Sequence, residues 1–271
     1  MSIFFCGDPH GNFAHIVSAV HKFRPAAVVL LGDIEPQKPL QIALDEIIRL
    51  TEVWWIHGNH DTDSETNAHN LFASEMADRN LHGRVVEIDG QRIAGLGGIF
   101  RGKVWYPPAD ALFHSYPDYA ESLNSSRPTR ERRPVSLFDL ARFQGVVEHA
   151  SNLKEATRDG KMRQQLSSIF PDVYLELVGQ SADILVTHEA PSCHPHGFDA
   201  IDELARSMRV CRSFHGHHHD RLDYTDKWPA LGFQAHGVGF CGIVDQDGNE
   251  ICAGDFDELR SGRVNENSLF P

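Results

Sequence analysis

The chain has 271 residues, of which 41% are hydrophobic, and this is enough to bury the core of one large domain. Its formal net charge of −13 argues against a protein that grips long nucleic acid through a basic face. Five widely spaced cysteines without a C-x-x-C pair argue against a disulfide framework or zinc ribbon. No apolar run or signal pattern indicates a membrane span or secretion, so we expect a cytoplasmic protein.

The first part of the chain alternates between apolar runs and helical patterns. Buried strands are predicted at 2–6, 26–31 and 53–56, where short apolar runs end at a glycine or a His-Gly pair. Asn12 stands where a helix N-cap would, before apolar residues at helical spacing, and Pro39 suits the first turn of a helix over 40–50. Strands alternating with helices predict a mainly parallel sheet with right-handed crossovers.

The later part of the chain adds antiparallel signals. A helix is predicted near 65–77, and Asp-Gly pairs at 89–90 and 247–248 predict hairpins. The remaining predicted strands are 85–88, 92–96, 184–187, 210–214, 232–235, 242–244 and 251–253. Two mixed sheets packed face to face with flanking helices satisfy both halves of the chain, so we predict an α/β protein with a four-layer α/β/β/α sandwich.

The stretch from about 100 to 180 differs in composition from the rest. It is rich in proline, carries helical patterns over 136–149 and about 153–170, and holds 11 Lys/Arg against 8 Asp/Glu between 101 and 164. We interpret it as a partly helical cap or insertion within a single domain spanning 1–271.

Polar side chains follow five of the predicted strands. The segments are Gly7-Asp8-Pro9-His10-Gly11-Asn12, Gly32-Asp33, Gly58-Asn59-His60-Asp61, His188-Glu189 and His215-Gly216-His217-His218-His219-Asp220. Ligands of open α/β sheets bind just beyond the carboxyl ends of the strands, and neighbouring strands lie ~5 Å apart, so these side chains can converge. Carboxylate, imidazole and amide oxygen are ligands that divalent metals accept.

In type and order these segments resemble the signature of the calcineurin-like metallophosphoesterases, D-x-H, G-D, G-N-H-D/E, H and G-H-x-H, over residues 8 to 219. The resemblance implies a first metal ion held by Asp8, His10 and His219, a second held by Asn59, His188 and His217, and Asp33 bridging both. A water or hydroxide would form the second bridge. Mn²⁺ or iron is expected, with Zn²⁺, Co²⁺ or Ni²⁺ as alternatives.

The physical logic of such a centre is independent of the resemblance. Two cations ~3.5–4 Å apart repel, so an anionic bridge is needed between them, and together they acidify water and neutralise phosphate charge. The resemblance further implies that His60 is not a ligand but contacts the phosphoryl oxygens or protonates the leaving oxygen, with Asp61 orienting its ring.

Two branches of the family are disfavoured by the residues after Gly32-Asp33, which are Ile34-Glu35-Pro36-Gln37. The arginine of protein Ser/Thr phosphatases and symmetric dinucleoside polyphosphatases is missing. Pro36 stands where purple acid phosphatases have their iron-binding tyrosine.

We therefore expect a hydrolase of phosphate mono- or diesters that uses attack by a metal-bridging hydroxide, with small or nucleotide substrates favoured. The alternatives are a nuclease or RNA-processing phosphodiesterase, and a metal-bound, non-catalytic scaffold that recognises a partner through the cap. The candidate substrate contacts are Asn12, Arg101, His194 and His196. The sequence does not predict an oligomeric state.

Overall fold

The computed structural model describes residues 2–125 and 160–257. These residues form two five-stranded mixed sheets with flanking helices, as the strand pattern predicts. The strands are β1 Ile3–Cys6, β2 Ala27–Leu31, β3 Glu52–Ile56, β4 Arg84–Ile88, β5 Gln91–Leu96, β6 Ile184–Thr187, β7 Arg212–His215, β8 Gln234–Gly237, β9 Ile243–Asp245 and β10 Glu250–Cys252.

The first sheet has the strand order β10-β9-β1-β2-β3. Its strands β1, β2 and β3 are parallel, while β9 runs antiparallel to β1 and to β10. The late hairpin predicted at Asp247-Gly248 therefore completes the sheet that the N-terminal strands begin.

The second sheet has the order β4-β5-β6-β7-β8. Strands β4 and β5 form the predicted antiparallel hairpin through Asp89 and Gly90, which both have positive φ, the backbone that a tight two-residue hairpin turn requires. Strands β5 to β8 are parallel. In both sheets the parallel strands carry the predicted polar segments at their carboxyl ends.

The helices of the described residues are α1 Ala14–Phe23, α2 Leu40–Ala43, α3 Glu65–Phe72, α4 Tyr116–Ser125, α5 Gly160–Gln165, α6 Pro171–Val178, α7 Asp199–Ser207 and α8 Trp228–Leu231. Single turns of 3-10 helix lie at His60–Thr62 and Ala77–Arg79. None of these helices combines the length and apolar character needed to cross a membrane.

Strand periodicity assigns the side chains to separate layers of core. On β1, Ile3 and Phe5 pack between the sheets, whereas Phe4 and Cys6 pack toward α1 and its neighbours, because successive side chains of a strand point to opposite faces. The rings of Phe5 and Phe214 stack across the two sheets with centroids 3.9 Å apart. The outer face of the second sheet packs on α6 and α7.

Two helices differ from their predicted bounds. The helix predicted over 40–50 ends at Ala43, and the following turns mix hydrogen bonds to the third and fourth preceding residues, such as Ile47 and Ile48 to Leu44. The predicted helix over 65–77 ends at Phe72. At α1 the N-cap position is Phe13, and the Asn12 side chain instead accepts the Ala14 N–H at 3.2 Å.

The proposed cap is described in part. Its predicted helix over 136–149 lies outside the described residues, and the pattern over 153–170 is described from residue 160, where α5 begins. The assignment of 100–180 as a cap within one domain stays a prediction.

Candidate metal centre

The carboxyl ends of β1, β2, β3, β6 and β7 meet at one edge of the sandwich and bring the predicted ligands together. His10, Asp33 and His219 offer ligand atoms that all lie within 4.8 Å of one another. Within this group His10 Nε2 is 3.2 Å from His219 Nε2 and 3.9 Å from Asp33 Oδ2. Two of the three residues predicted for the first ion therefore lie together with the predicted bridge.

A second group shares the same aspartate. Asp33, His188 and His217 also offer ligand atoms within 4.8 Å of one another. His188 Nε2 lies 3.4 Å from Asp33 Oδ2 and 3.2 Å from Asn59 Oδ1. The other residues predicted for the second ion thus lie close to His188 Nε2. Asp33 is common to both groups.

The chemistry of Asp33 fits a pair of cations. Its side chain is 1% exposed, and Oδ2 is buried without a hydrogen-bond partner among the described residues. A buried carboxylate oxygen without a partner is costly, and one that faces imidazole nitrogens on two sides can be satisfied by cations bound between them. Carboxylate, imidazole and amide donors are the set that Mn, Fe, Zn or Co ions accept.

The surrounding carboxylates add to the negative charge. Burial raises the pKa of the Asp8 carboxyl to about 7 against the opposing charge of His188, and the charge of Asp33 adds to the rise. Burial likewise raises the pKa of Asp61 to about 7, again assisted by Asp33. Bound divalent cations would offset this accumulated charge and keep all three groups ionised.

Asp8 differs from the other predicted ligands. Among the described residues it belongs to neither group, and its two oxygens accept the His217 N–H at 3.1 and 2.9 Å. Its Oδ1 also lies 3.7 Å from His188 Nδ1. Asp8 is fully buried beside the site, and its direct ligation of the first ion stays a prediction.

The backbone at the ligand positions is unusual. Five predicted ligands have positive φ, namely Asp8 at 32°, His10 at 42°, Asp33 at 46°, His217 at 73° and His219 at 59°. Non-glycine residues adopt this region rarely and at a cost of ~1 kcal/mol or more, and such residues cluster at functional sites. The positive φ values turn the chain away from the strand direction, so that these side chains point toward one another.

Two glycines make room for the centre. A Cβ atom on Gly32 would collide with the His188 ring, and one on Gly58 would collide with the Asp33 carboxylate. The glycines that close β2 and β3 therefore let the ligands of neighbouring loops approach the backbone.

His60 lies beside the two groups rather than within them. Its side chain is 45% exposed, and its ring centroid lies 5.6 Å from that of His10. Its backbone N–H donates to Asp33 Oδ1 at 2.8 Å, which also fixes the bridge. Burial lowers the pKa of His60, but the charges of Asp33 and Asp63 and the Asp63 hydrogen bond outweigh this, and the pKa is raised.

The prediction that Asp61 orients the His60 ring is wrong. Asp61 is fully buried and accepts the backbone N–H groups of Ile34, Glu35 and Gly58 at 2.7 to 2.8 Å. The ring contacts Asp63 instead, with Nδ1 at 2.6 Å from Oδ2. The cause is the 3-10 turn at His60–Thr62, because residues three apart lie on the same side of such a turn.

Glu35 was not identified from the sequence. Its Oε2 lies 2.5 Å from His10 Nδ1, and its Oε1 accepts the Asn67 amide at 3.1 Å. A carboxylate on one nitrogen of a ligating imidazole fixes the tautomer and directs the other nitrogen at the metal. The available signal was an acidic residue two positions after Asp33.

A third group lies next to the second. Glu189, His217 and His218 offer ligand atoms within 4.8 Å, and the His218 ring stacks on that of His194 at 3.9 Å. His194 is buried and its Nδ1 accepts the His196 N–H at 3.1 Å. Glu189 and His218 were not predicted as ligands.

The four candidate substrate contacts are not equivalent. Asn12 is exposed, and its side chain accepts the Ala14 N–H at the start of α1. His194 is buried against His218. His196 is exposed. Arg101 is half-buried, and its Nη2 donates to Ser167 Oγ at 3.2 Å. A substrate role stays a prediction for all four.

Comparisons with known proteins identify the family to which the chain belongs. The family model for calcineurin-like phosphoesterases matches residues 1–221. An uncharacterized protein of Haemophilus influenzae is 36% identical over 249 residues, which cover 92% of this chain and 96% of that protein. The crystal structure of TT1561 of Thermus thermophilus has a TM-score of 0.50 at 13% identity, covers 90% of this chain and 93% of its own, and is a likeness of fold alone. The chain belongs to the calcineurin-like phosphoesterase family.

Proposed function

We propose that the protein is a metal-dependent phosphoesterase that hydrolyses phosphate mono- or diesters, with small or nucleotide substrates favoured. The observation that carries the proposal is the position of the buried Oδ2 of Asp33, which makes no well-formed hydrogen bond among the described residues but faces His188 Nε2 at 3.4 Å and His10 Nε2 at 3.9 Å. Asp33 is thereby shared between two groups of imidazole ligands. Two cations held there would neutralise phosphoryl charge and acidify water. Mn²⁺ or iron is the expected occupant, and Zn²⁺, Co²⁺ or Ni²⁺ suits the same donors.

The residues of the chain divide the remaining tasks. His10, His219 and Asp33 would hold one ion, with Asp8 beside them, and His188, His217 and Asn59 would hold the other together with Asp33. The three backbone N–H groups bound by Asp61 fix the loops after β2 and β3 relative to each other. Such fixed geometry favours in-line displacement at phosphorus, because positioning supplies much of the rate.

His60 would act on the leaving group. The Nδ1–H of the protonated ring would donate a hydrogen bond to the Asp63 carboxylate, 2.6 Å away, which leaves the Nε2–H free to protonate the leaving oxygen. The half-exposed ring can reach a bound ester, whereas the ligand imidazole of His188 is fully buried. The presence of His60 beside two ligand groups that share Asp33 favours an enzyme over a metal-bound scaffold.

The test compares metal content and turnover in the same samples. The protein is loaded with Mn²⁺ or Fe²⁺ and assayed on an aryl phosphomonoester, an aryl phosphodiester and a nucleotide panel, with elemental analysis alongside. Asp33→Asn should lose bound metal and turnover together, because both groups lose their shared anionic ligand. Asp110→Asn, which removes an exposed carboxylate, is the matched control. An Asp33→Asn variant with normal metal content and normal turnover would contradict the proposal.

A further inference from the structure

Arg101 lies at the border of the metal centre, and not all of its guanidinium N–H groups have a hydrogen-bond acceptor among the described residues. Its Nη2 donates to Ser167 Oγ at 3.2 Å, but its Nε is buried and has no hydrogen-bond partner among the described residues. A guanidinium has five N–H donors, and a buried donor without an acceptor is costly. The Arg101 guanidinium thus makes one side-chain hydrogen bond among the described residues and leaves its other N–H donors uncommitted.

The charges around Arg101 locate that acceptor. Burial lowers the pKa of the guanidinium, while the carboxylates of Asp63, Glu189 and Asp33 act in the opposite direction. Asp63 holds the His60 ring, and Asp33 is the residue common to the two ligand groups. None of the three forms a direct ion pair with Arg101 in the described part of the chain. The neighbouring Phe100 N–H donates to Glu189 Oε1 at 2.9 Å, and Glu189 belongs to the third ligand group, so Arg101 follows directly on a residue that contacts the border of the centre.

Arg101 is also connected by hydrogen bonds to the turn that carries His60. Ser167, which accepts from Arg101, is fully buried, and its Oγ lies 2.7 Å from Thr62 Oγ1. Thr62 ends the 3-10 turn that carries His60. On the other side, the Arg101 carbonyl accepts the Trp105 N–H at 2.8 Å. The Ser167 hydroxyl thus links the guanidinium to the turn that carries the proposed proton donor, and a cation held in this way has less entropy to lose when it binds an anion.

From this arrangement we infer that Arg101 forms a phosphate subsite that selects phosphomonoesters over phosphodiesters, an inference that rests on the proposed function. A monoester carries nearly two charges near neutral pH and presents three non-bridging oxygens. A diester carries one charge, and its second ester group replaces one of those oxygens. A fixed cation beyond the metal ligands therefore gains more from the monoester, and guanidinium–phosphate pairs are strong and directional.

The test is a comparison of two substrates in matched variants. The metal-loaded wild-type protein, Arg101→Gln, Arg101→Lys and the control Lys103→Gln are assayed on an aryl phosphomonoester and the corresponding aryl diester. Lys103 is exposed in the same loop, so its substitution removes an equal charge without touching the subsite. Arg101→Gln should lower kcat/KM for the monoester by roughly 10- to 100-fold and for the diester by less than about 3-fold. Arg101→Lys should fall between wild type and Arg101→Gln.

Binding of inorganic phosphate gives a readout that does not depend on turnover. Calorimetric titration of the metal-loaded proteins should show phosphate affinity reduced about 10-fold or more in Arg101→Gln and unchanged in Lys103→Gln, at equal metal content. Equal losses on the two esters, or unchanged phosphate affinity, would overturn the monoester assignment and leave the proposed function standing. If the metal-loaded wild type hydrolyses neither these esters nor the nucleotide panel, the proposed function itself fails.

Discussion

The imidazoles around Asp33 divide into two kinds by their second contact. His188 is fully buried, with Nδ1 at 2.8 Å from the Leu31 carbonyl, so its Nε2 is directed at Asp33. His60 is half-exposed, with Nδ1 on the Asp63 carboxylate. The first arrangement suits a metal ligand, since the backbone fixes the tautomer, and the second suits a group that exchanges protons with a substrate.

Replacing His60 by Ala should separate these two roles. We expect metal content to stay at the wild-type level, because His60 belongs to neither ligand group, and the rate to fall by about 10²–10⁴, the usual contribution of a positioned acid. Elemental analysis and steady-state kinetics on one preparation provide the measurement. Loss of metal would show that His60 is a ligand and that its role has been misplaced.

Glu35→Gln should weaken one metal site and spare the other. Glu35 contacts His10 but no member of the second group, and loss of such a supporting carboxylate typically costs roughly 10- to 100-fold in metal affinity. Stepwise metal titration should therefore show one weakened and one unchanged binding event. Glu46→Gln, on an exposed surface, is the control. Equal weakening of both events would argue against a selective link to His10.

At the residue level the sequence predicts which side chains gather but not every contact between them. Both ligand groups consist of residues predicted from the strand-end pattern, since residue type and order are sufficient to recognise it. Asp63, rather than the predicted Asp61, contacts the His60 ring because of a single 3-10 turn. A turn of three residues is too short to leave a periodic pattern in the sequence. The contact of Glu35 with His10 likewise depends on a local backbone conformation, since Glu35 has a positive φ of 45°.

At the level of elements, the strand ends are the parts on which the centre depends. Strands β2 and β3 each end in a glycine or a His-Gly pair, after which the backbone of one loop passes against the ligand of another. The ligands therefore follow closely after the ends of the parallel strands, and the glycines, which have no side chain, permit the close approach of the loops.

Gly58→Ala should disturb this approach. Its Cβ would meet the Asp33 carboxylate and the His188 ring, and overpacking of this kind costs about 1–3 kcal/mol. We expect a lower Tm by calorimetry together with reduced metal content. Gly179→Ala is the control, because a Cβ there meets nothing within 4 Å. An unchanged Tm and metal content for Gly58→Ala would contradict the close approach described here.

Strands were predicted more accurately than helices for a physical reason. All ten strands of the described residues were predicted to within two residues at each end, because short apolar runs and nearby turn formers mark most of them. The strands Arg212–His215 and Gln234–Gly237 are mixed in polarity, and each begins two residues after its predicted start. The helices over 40–50 and 65–77 were predicted too long, since apolar periodicity continues through turns that pack on the same core without helical hydrogen bonding.

The whole molecule depends on the contact between its two sheets. Phe5 of β1 and Phe214 of β7 are fully buried and stack at an interplanar angle of 8°. Around them pack apolar residues from both sheets, including Val29 and Val186. This layer sets the spacing between sheets and hence the distance between the ligands that each sheet carries.

Phe214→Ala should therefore be costly for stability. Deleting a buried aromatic ring costs about 3–5 kcal/mol, through lost burial and the cavity that remains. Chemical denaturation followed by circular dichroism measures the change. Phe23→Ala, at a ring that is 44% exposed, should cost much less. Similar losses for the two variants would argue against a central role for the Phe5–Phe214 stack.

Each ligand group takes side chains from both sheets. Asp33 and His10 follow strands of the first sheet, while His188, His217 and His219 follow strands of the second. During synthesis the N-terminal part of a chain emerges first. A nascent chain that has presented β1 to β3 thus holds the shared aspartate but no complete group, and the first group is complete only when His219 has left the ribosome. If the two groups bind metal as proposed, an ion can be captured only after strands of both sheets have been synthesised.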